Sequence, residues 1–150
     1  MTVADPHEGL SEGSTRDLQL YAAACLEAYC AGKGIRHPAV ADLIRHLKDY
    51  PQQGGLPAWD RAGALLALNG RGDDWPQDLV ALISPDDIEA FSTLVESAVE
   101  VGIVDLYGGS TDGPLIFVRK ITGMLRGNLI ELPRLHVAAT ASAAFLPGQR

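Results

Sequence analysis

Cysteine is scarce in this sequence, and long apolar runs are missing from it. The 150 residues include two cysteines, Cys25 and Cys30. Side chains five positions apart on a helix project from different faces, and their Cα atoms are too far apart for a disulfide bond. We therefore expect two reduced thiols in the core. No basic, apolar leader opens the sequence, and no apolar run approaches the ~20 residues that span a bilayer. These absences predict a cytoplasmic protein without a membrane partner.

Motifs for catalysis, for metal binding and for phosphate binding are also missing. The glycine-rich segment 105–114 has no lysine of the P-loop type, and Asp105 and Asp112 flank it, so an anion would be repelled. His37 and His46 are not spaced as zinc ligands, and neither are the cysteines. No serine lies in a nucleophile-elbow motif. The sequence predicts a protein that is not an enzyme and that uses no metal and no cofactor.

Positive charge is missing from one long stretch of the chain. From Asp73 to Asp112 there is no Lys, Arg or His, whereas ten acidic residues are present. The rest of the chain holds nine acidic residues against twelve Lys and Arg. The formal net charge of −7 therefore comes entirely from this acidic stretch, residues 73–112. A net negative charge argues against nucleic acid as the main partner.

Apolar residues recur at helical spacing through most of the chain. The sequence STRD at 14–17 has the form of a capping box, and it opens a helix predicted at about 15–31 that Gly32 ends. The sequence SPDD at 84–87 marks the start of a helix that reaches at least Val101. Further short helices are predicted after Pro38, after Pro57 and in the segment 73–83. The predicted organisation is a flexible arm (1–13), a single helical domain (14–136) and an Ala-rich tail (137–150).

Residues 103–121 allow two interpretations. Many β-branched residues flank the glycine-rich segment, which favours a β-hairpin and an α+β, winged-helix-like domain. Alternatively, the preceding helix runs to Tyr107, and Thr111 or Asp112 caps a new helix. We favour the second interpretation, an all-α fold of about six helices, because the helical period extends through Leu125.

The acidic stretch is the strongest indication of function. Glu89, Glu96 and Glu100 are seven and four residues apart, so they line one side of the predicted helix. Interleaved lysines would relieve the repulsion between them, yet there are none. Solubility, or neutralisation by Arg119, Lys120 or Arg126, is one explanation. The other is a docking surface for a basic protein, which we prefer.

Two tryptophans, Trp59 and Trp75, lie in first helical turns near prolines, where partial exposure is expected. Trp75 and Tyr107 are the candidate apolar anchors of the docking surface. The candidate partner-binding residues are Asp73, Asp74, Trp75, Asp78, Asp86, Asp87, Glu89, Glu96, Glu100 and Tyr107.

The small size, acidity, helical pattern and missing catalytic motifs resemble those of bacterial immunity proteins, which bind a cognate toxin, often a basic nuclease, and block its active site. The resemblance is one of physical character, since no family motif carries individual residues across. It implies that the carboxylates from Asp73 to Glu100 cover the basic cleft of a toxin. Two other classes stay open. A winged-helix-like regulatory or adaptor domain would use helix 86–101, whose acids repel DNA, to bind protein. A small helical enzyme or ligand-binding domain would have its pocket between helices.

Overall fold

Six α-helices and no strand make up residues 9–135, which are the residues that the computed structural model describes. The predicted all-α fold is confirmed, and the hairpin alternative for 103–121 is wrong. The predicted tail, 137–150, lies outside the described residues. The helices are α1 (Thr15–Lys33), α2 (Pro38–Lys48), α3 (Leu56–Ala64), α4 (Gln77–Val80), α5 (Ile88–Ile103) and α6 (Gly113–Gly127).

The first helix begins at the predicted capping box. The Ser14 hydroxyl accepts a hydrogen bond from the Asp17 amide at 3.0 Å, and the Asp17 carboxylate accepts one from the Ser14 amide at 3.0 Å. The predicted end at Gly32 is wrong by one half-turn, because Gly34 adopts the left-handed conformation (φ 72°) that ends the helix. Gly32 stays helical and lies against the Ile130 side chain.

Three long helices, α1, α5 and α6, pack against one another, and α2 packs against α1. Tyr29 on α1 and Phe91 on α5 are fully buried at the centre, with their ring centroids 6.3 Å apart. Leu10 is also fully buried, in a short 3-10 turn before α1. The hydrophobic core therefore begins inside the segment 1–13 that was predicted to be a flexible arm, of which residues 1–8 lie outside the described residues.

The helix that carries the predicted stripe is shorter at both ends than expected. A 3-10 turn, Pro85–Asp87, precedes α5, and the Ser84 side chain makes no capping hydrogen bond. The helix ends at Ile103 instead of Tyr107. The Asp105 carboxylate then accepts hydrogen bonds from the Thr111 amide at 2.8 Å and from the Thr111 hydroxyl at 2.6 Å. This pair closes the glycine-rich segment, which is therefore a corner between two helices.

The position of α5 depends on a close approach at Gly102. A methyl group built on Gly102 would collide with the Gln19 side-chain oxygen of α1 and lie 3.0 Å from the Trp59 ring of α3. The buried Gln19 amide also donates a hydrogen bond to the Ala98 carbonyl of α5 at 2.9 Å. These contacts hold one side of α5 in the core and leave the other side toward the surface.

Candidate functional site

The predicted stripe of glutamates lies on the solvent side of α5. Glu89 and Glu96 are exposed and Glu100 is half-buried. We call these three residues the glutamate stripe. They extend over about 16 Å of the helix at 1.5 Å per residue. The opposite side of α5 is buried, and this burial sets the rotation of the helix about its axis. The buried residues are Phe91, Leu94, Val95, Ala98, Val99 and Val101.

The other acidic residues lie at both ends of α5 and in the segment before it. Asp74, Asp86 and Asp112 are exposed. The Asp73 carboxylate, also exposed, accepts a hydrogen bond from the Asn69 side-chain amide at 2.6 Å. Asp105 is used within its own loop, so its role in the fold is partly structural.

Ion pairing of the acidic stretch is sparse. Within residues 9–135, two of the ten carboxylates have an ion-pair partner: Asp78 with His37 at 2.9 Å, and Asp87 with Lys33 at 3.5 Å. The His37 hydrogen bond holds the pKa of the exposed Asp78 below its usual value. Among the described residues, no ion pair joins an acid of the stretch to a cation of α6, although neutralisation from there was an expected alternative.

The two candidate anchors differ in exposure. The Tyr107 side chain is 75% exposed, and its hydroxyl donates a hydrogen bond to the Asp60 carboxylate at 3.3 Å. Trp75 is half-buried and packs edge-on against Phe91, with ring centroids 5.4 Å apart. Tyr107 therefore offers more free aromatic surface to a partner than Trp75.

A cleft of about 630 Å³ lies beside the glutamate stripe, between α5, α6 and the loop 70–72. Sequence reasoning did not find it, because its walls come from three separate segments. Two of its residues, Glu96 and Glu100, also belong to the stripe, whereas Glu89 does not line it. The other side chains that line it are Arg71, Thr93, Ser97, Ile103, Phe117 and Lys120.

A half-buried polar cluster joins α2, α3 and the loop after α3. The His46 ring stacks on Trp59 with centroids 4.5 Å apart, and the Trp59 indole N–H donates to the His46 carbonyl at 2.9 Å. The Arg71 guanidinium pairs with the Asp60 carboxylate at 2.9 Å. Burial, together with the nearby Arg71 charge, lowers the pKa of His46. The expected partial exposure of Trp59 is wrong, because residues of α2 cover it.

A second and larger groove, of about 990 Å³, lies between α1 and α2. Its base is apolar, and both positive and negative side chains stand at its rim, among them Glu27, Arg36, Lys48 and Asp49. Cys30 contributes to the base, and burial raises the pKa of its thiol to about 12. Cys25 is likewise a buried free thiol with a pKa raised by burial to about 12.

Two further features are absent from residues 9–135. No helix there is both long enough and apolar enough to cross a membrane. No group of three or more His, Cys, Asp and Glu side chains there is arranged to hold a metal ion.

Comparisons with protein-family models, with curated proteins and with solved structures found no match for this chain.

Proposed function

We propose that this protein binds a basic protein partner through the acidic stretch, with the glutamate stripe of α5 at the centre of the interface. The observation that supports this proposal most is the lack of ion pairing: within residues 9–135, eight of the ten carboxylates have no cationic partner. Such a surface attracts a cationic protein and raises its association rate. Binding also relieves the repulsion among the carboxylates.

A toxin that acts on nucleic acid is the partner class we favour, as in the bacterial immunity proteins that this chain resembles in physical character. The active site of such an enzyme must attract phosphates, so it is lined by Lys and Arg. A row of carboxylates is complementary in charge to such a site, and Tyr107 adds an exposed aromatic side chain. The proposal thus describes an inhibitor that covers a basic cleft and performs no chemistry of its own.

Charge reversal tests the proposal. One variant combines Asp86→Lys, Glu89→Lys and Glu96→Lys, which are exposed and unpaired within residues 9–135. A matched control combines Glu27→Lys, Asp42→Lys and Asp49→Lys, which are equally exposed but lie on the α1–α2 side. Both variants change the net charge by the same amount, in different places. The control also breaks the surface ion pairs of Glu27 with Lys48 and of Asp42 with Arg45, so the folding of both variants is checked by thermal unfolding.

The measurement is capture of a partner on the immobilised wild-type chain, followed by titration of the purified partner against all three proteins at low and at high salt. We expect a basic partner that binds the control about as well as the wild type, with affinity falling as salt rises. The variant with reversed charge on α5 should bind at least about tenfold more weakly. Equal binding by the α5 variant and the control would contradict the proposal.

A further inference from the structure

We infer that the cleft between α5, α6 and the loop 70–72 receives an arginine side chain of the basic partner. This inference rests on the proposed function and assigns a specific anchoring point to it. The cleft opens beside the glutamate stripe, so a partner docked on the stripe faces it. Two carboxylates one helical turn apart, Glu96 and Glu100, stand on its α5 wall.

The cleft contains a hydroxyl that has no hydrogen-bond partner within residues 9–135. Ser97 lines the cleft and is 2% exposed, and its hydroxyl makes no hydrogen bond within residues 9–135. This hydroxyl is not among the fully buried unpaired atoms of the described residues, so it reaches the open cleft and can bond a ligand there. Thr93, one turn earlier on the same wall, adds a second hydroxyl that is half-buried.

The two cations of the cleft are in different situations. Arg71 is already engaged, because its guanidinium contacts the Asp60 carboxylate at 2.9 Å and donates to the Asp60 carbonyl at 3.1 Å. Lys120 is exposed on α6 and has no ion-pair partner within residues 9–135. It therefore holds neither glutamate, but its positive charge lies at the same cleft and opposes the entry of a second cation.

The chemistry of the walls favours arginine over lysine. A guanidinium is planar and has five N–H donors, which can bond two carboxylates and a hydroxyl at the same time. Its flat face also stacks on an aromatic ring, and Phe117 supplies a half-buried ring on the α6 wall. An ammonium group has three donors and no planar face, so it uses these walls less completely.

The probe for this cleft is Nα-acetylarginine methylamide, titrated into the 15N-labelled full chain and followed by NMR. We expect saturable shifts of the amides of Glu96, Ser97, Glu100 and Phe117. The citrulline analogue has the same shape without the charge, and the lysine analogue has the charge without the plane. Both should bind at least about threefold more weakly.

Matched variants locate the interaction. Glu96→Gln and Glu100→Gln, on the cleft wall, should each weaken binding of the probe about fivefold, whereas Glu89→Gln, on the same stripe outside the cleft, should change it less than about twofold. Ser97→Ala should weaken it about threefold. Lys120→Gln should strengthen it about twofold, and Arg119→Gln, its exposed neighbour on α6, should leave it nearly unchanged.

Equal effects of Glu89→Gln and Glu96→Gln on the affinity for the probe would overturn the inference. The glutamates would then act only by long-range electrostatic attraction and not by contact within the cleft. Equal binding of the citrulline or the lysine analogue would overturn the assignment to arginine. The proposed function fails separately, through the charge-reversal variant. One outcome is that binding of a partner is lost on charge reversal and yet is unchanged by Glu100→Gln and Ser97→Ala. That result would support the docking surface and would show that the cleft is not part of it.

Discussion

The α1–α2 side and the α5 side of the molecule carry their charges in different ways. On the α1–α2 side, Lys48 pairs with Glu27 at 3.1 Å and Arg45 pairs with Asp42 at 3.0 Å. On the α5 side, no member of the glutamate stripe has an ion-pair partner within residues 9–135. Paired surface charges contribute little to stability and have little left to offer a ligand. Unpaired like charges cost some stability and stay available for binding.

This contrast is reproduced in the two concave sites. The groove between α1 and α2 is larger, but its rim mixes both signs, and its lysine, Lys48, is paired. The α5–α6 cleft is smaller, yet it brings together two carboxylates and a hydroxyl that has no hydrogen-bond partner within residues 9–135. By volume alone, the groove would be the better candidate binding site. The unpaired polar groups make the cleft the better candidate.

The largest effect is expected from a change that displaces α5 itself. Gly102→Ala puts a methyl group against Gln19 and Trp59, so α5 must move or a buried side chain must change rotamer. We expect the free energy of unfolding to fall by about 2–4 kcal/mol, measured by urea denaturation. Gly123→Ala, on α6 with no neighbour within 4 Å, is the control and should raise it by up to about 1 kcal/mol. A neutral Gly102→Ala variant would show that α5 is not held there.

A smaller effect is expected from acid, on the polar cluster beside α2. The pKa of His46 is lowered in the folded chain, so the unfolded chain takes up this proton first as the pH falls. Stability should therefore decline once the pH drops below the ordinary histidine value of 6.5, with a slope of at most one proton. Arg71, Asp49 and Asp60 are the charged groups that act on this ring.

The measurement for this prediction is urea unfolding between about pH 7 and pH 5, in wild type and in His46→Gln. The variant loses the stacking on Trp59 and is expected to be less stable at every pH. The comparison therefore uses the slope of the free energy of unfolding against pH and not its absolute value. The variant should show a shallower slope than the wild type. An unchanged slope would mean that His46 does not titrate differently in the folded chain.

The smallest effects are expected from single charge-neutralising substitutions, one on each of the two surfaces. Glu96→Gln removes repulsion within the stripe and should raise the free energy of unfolding by about 0.2–0.5 kcal/mol at low salt. Glu27→Gln breaks the pair with Lys48 and should lower it by up to about 1 kcal/mol. Both differences should shrink at high salt. The same sign for the two variants would remove the contrast between the surfaces.

Sequence reasoning succeeded where neighbouring residues decide the outcome. The capping box at Ser14 and Asp17 and the exposure of Glu89 and Glu96 depend on local hydrogen bonding and on the helical period. It failed where distant segments decide it. Trp59 is 8% exposed because His46 stacks on it and Tyr50 packs edge-on against it, and neither contact can be read from the residues around Trp59.

The same limit applies to the end of helices and to the candidate site. Both Gly32 and Gly34 suit a helix end, and the structure ends α1 at Gly34 while Gly32 lies against Ile130, almost a hundred residues further along the chain. The cleft was missed because Arg71, Ser97 and Lys120 have no recognisable spacing along the chain. Nothing in the sequence marked Ser97 as a residue whose hydroxyl lines a cleft and has no hydrogen-bond partner within residues 9–135.

The sequence by itself determined that the chain is helical, that its negative charge is concentrated in residues 73–112, and that three glutamates share one side of a helix. These properties follow from the helical period and from composition, which need no knowledge of distant contacts. The tertiary structure alone decided that this side faces solvent, that no cation of α6 forms an ion pair with it within residues 9–135, and that α6 and the loop 70–72 enclose a cleft beside it. The physical reason is that ion pairing and cavities depend on distances of a few ångströms between segments far apart in sequence, and packing of the core sets those distances.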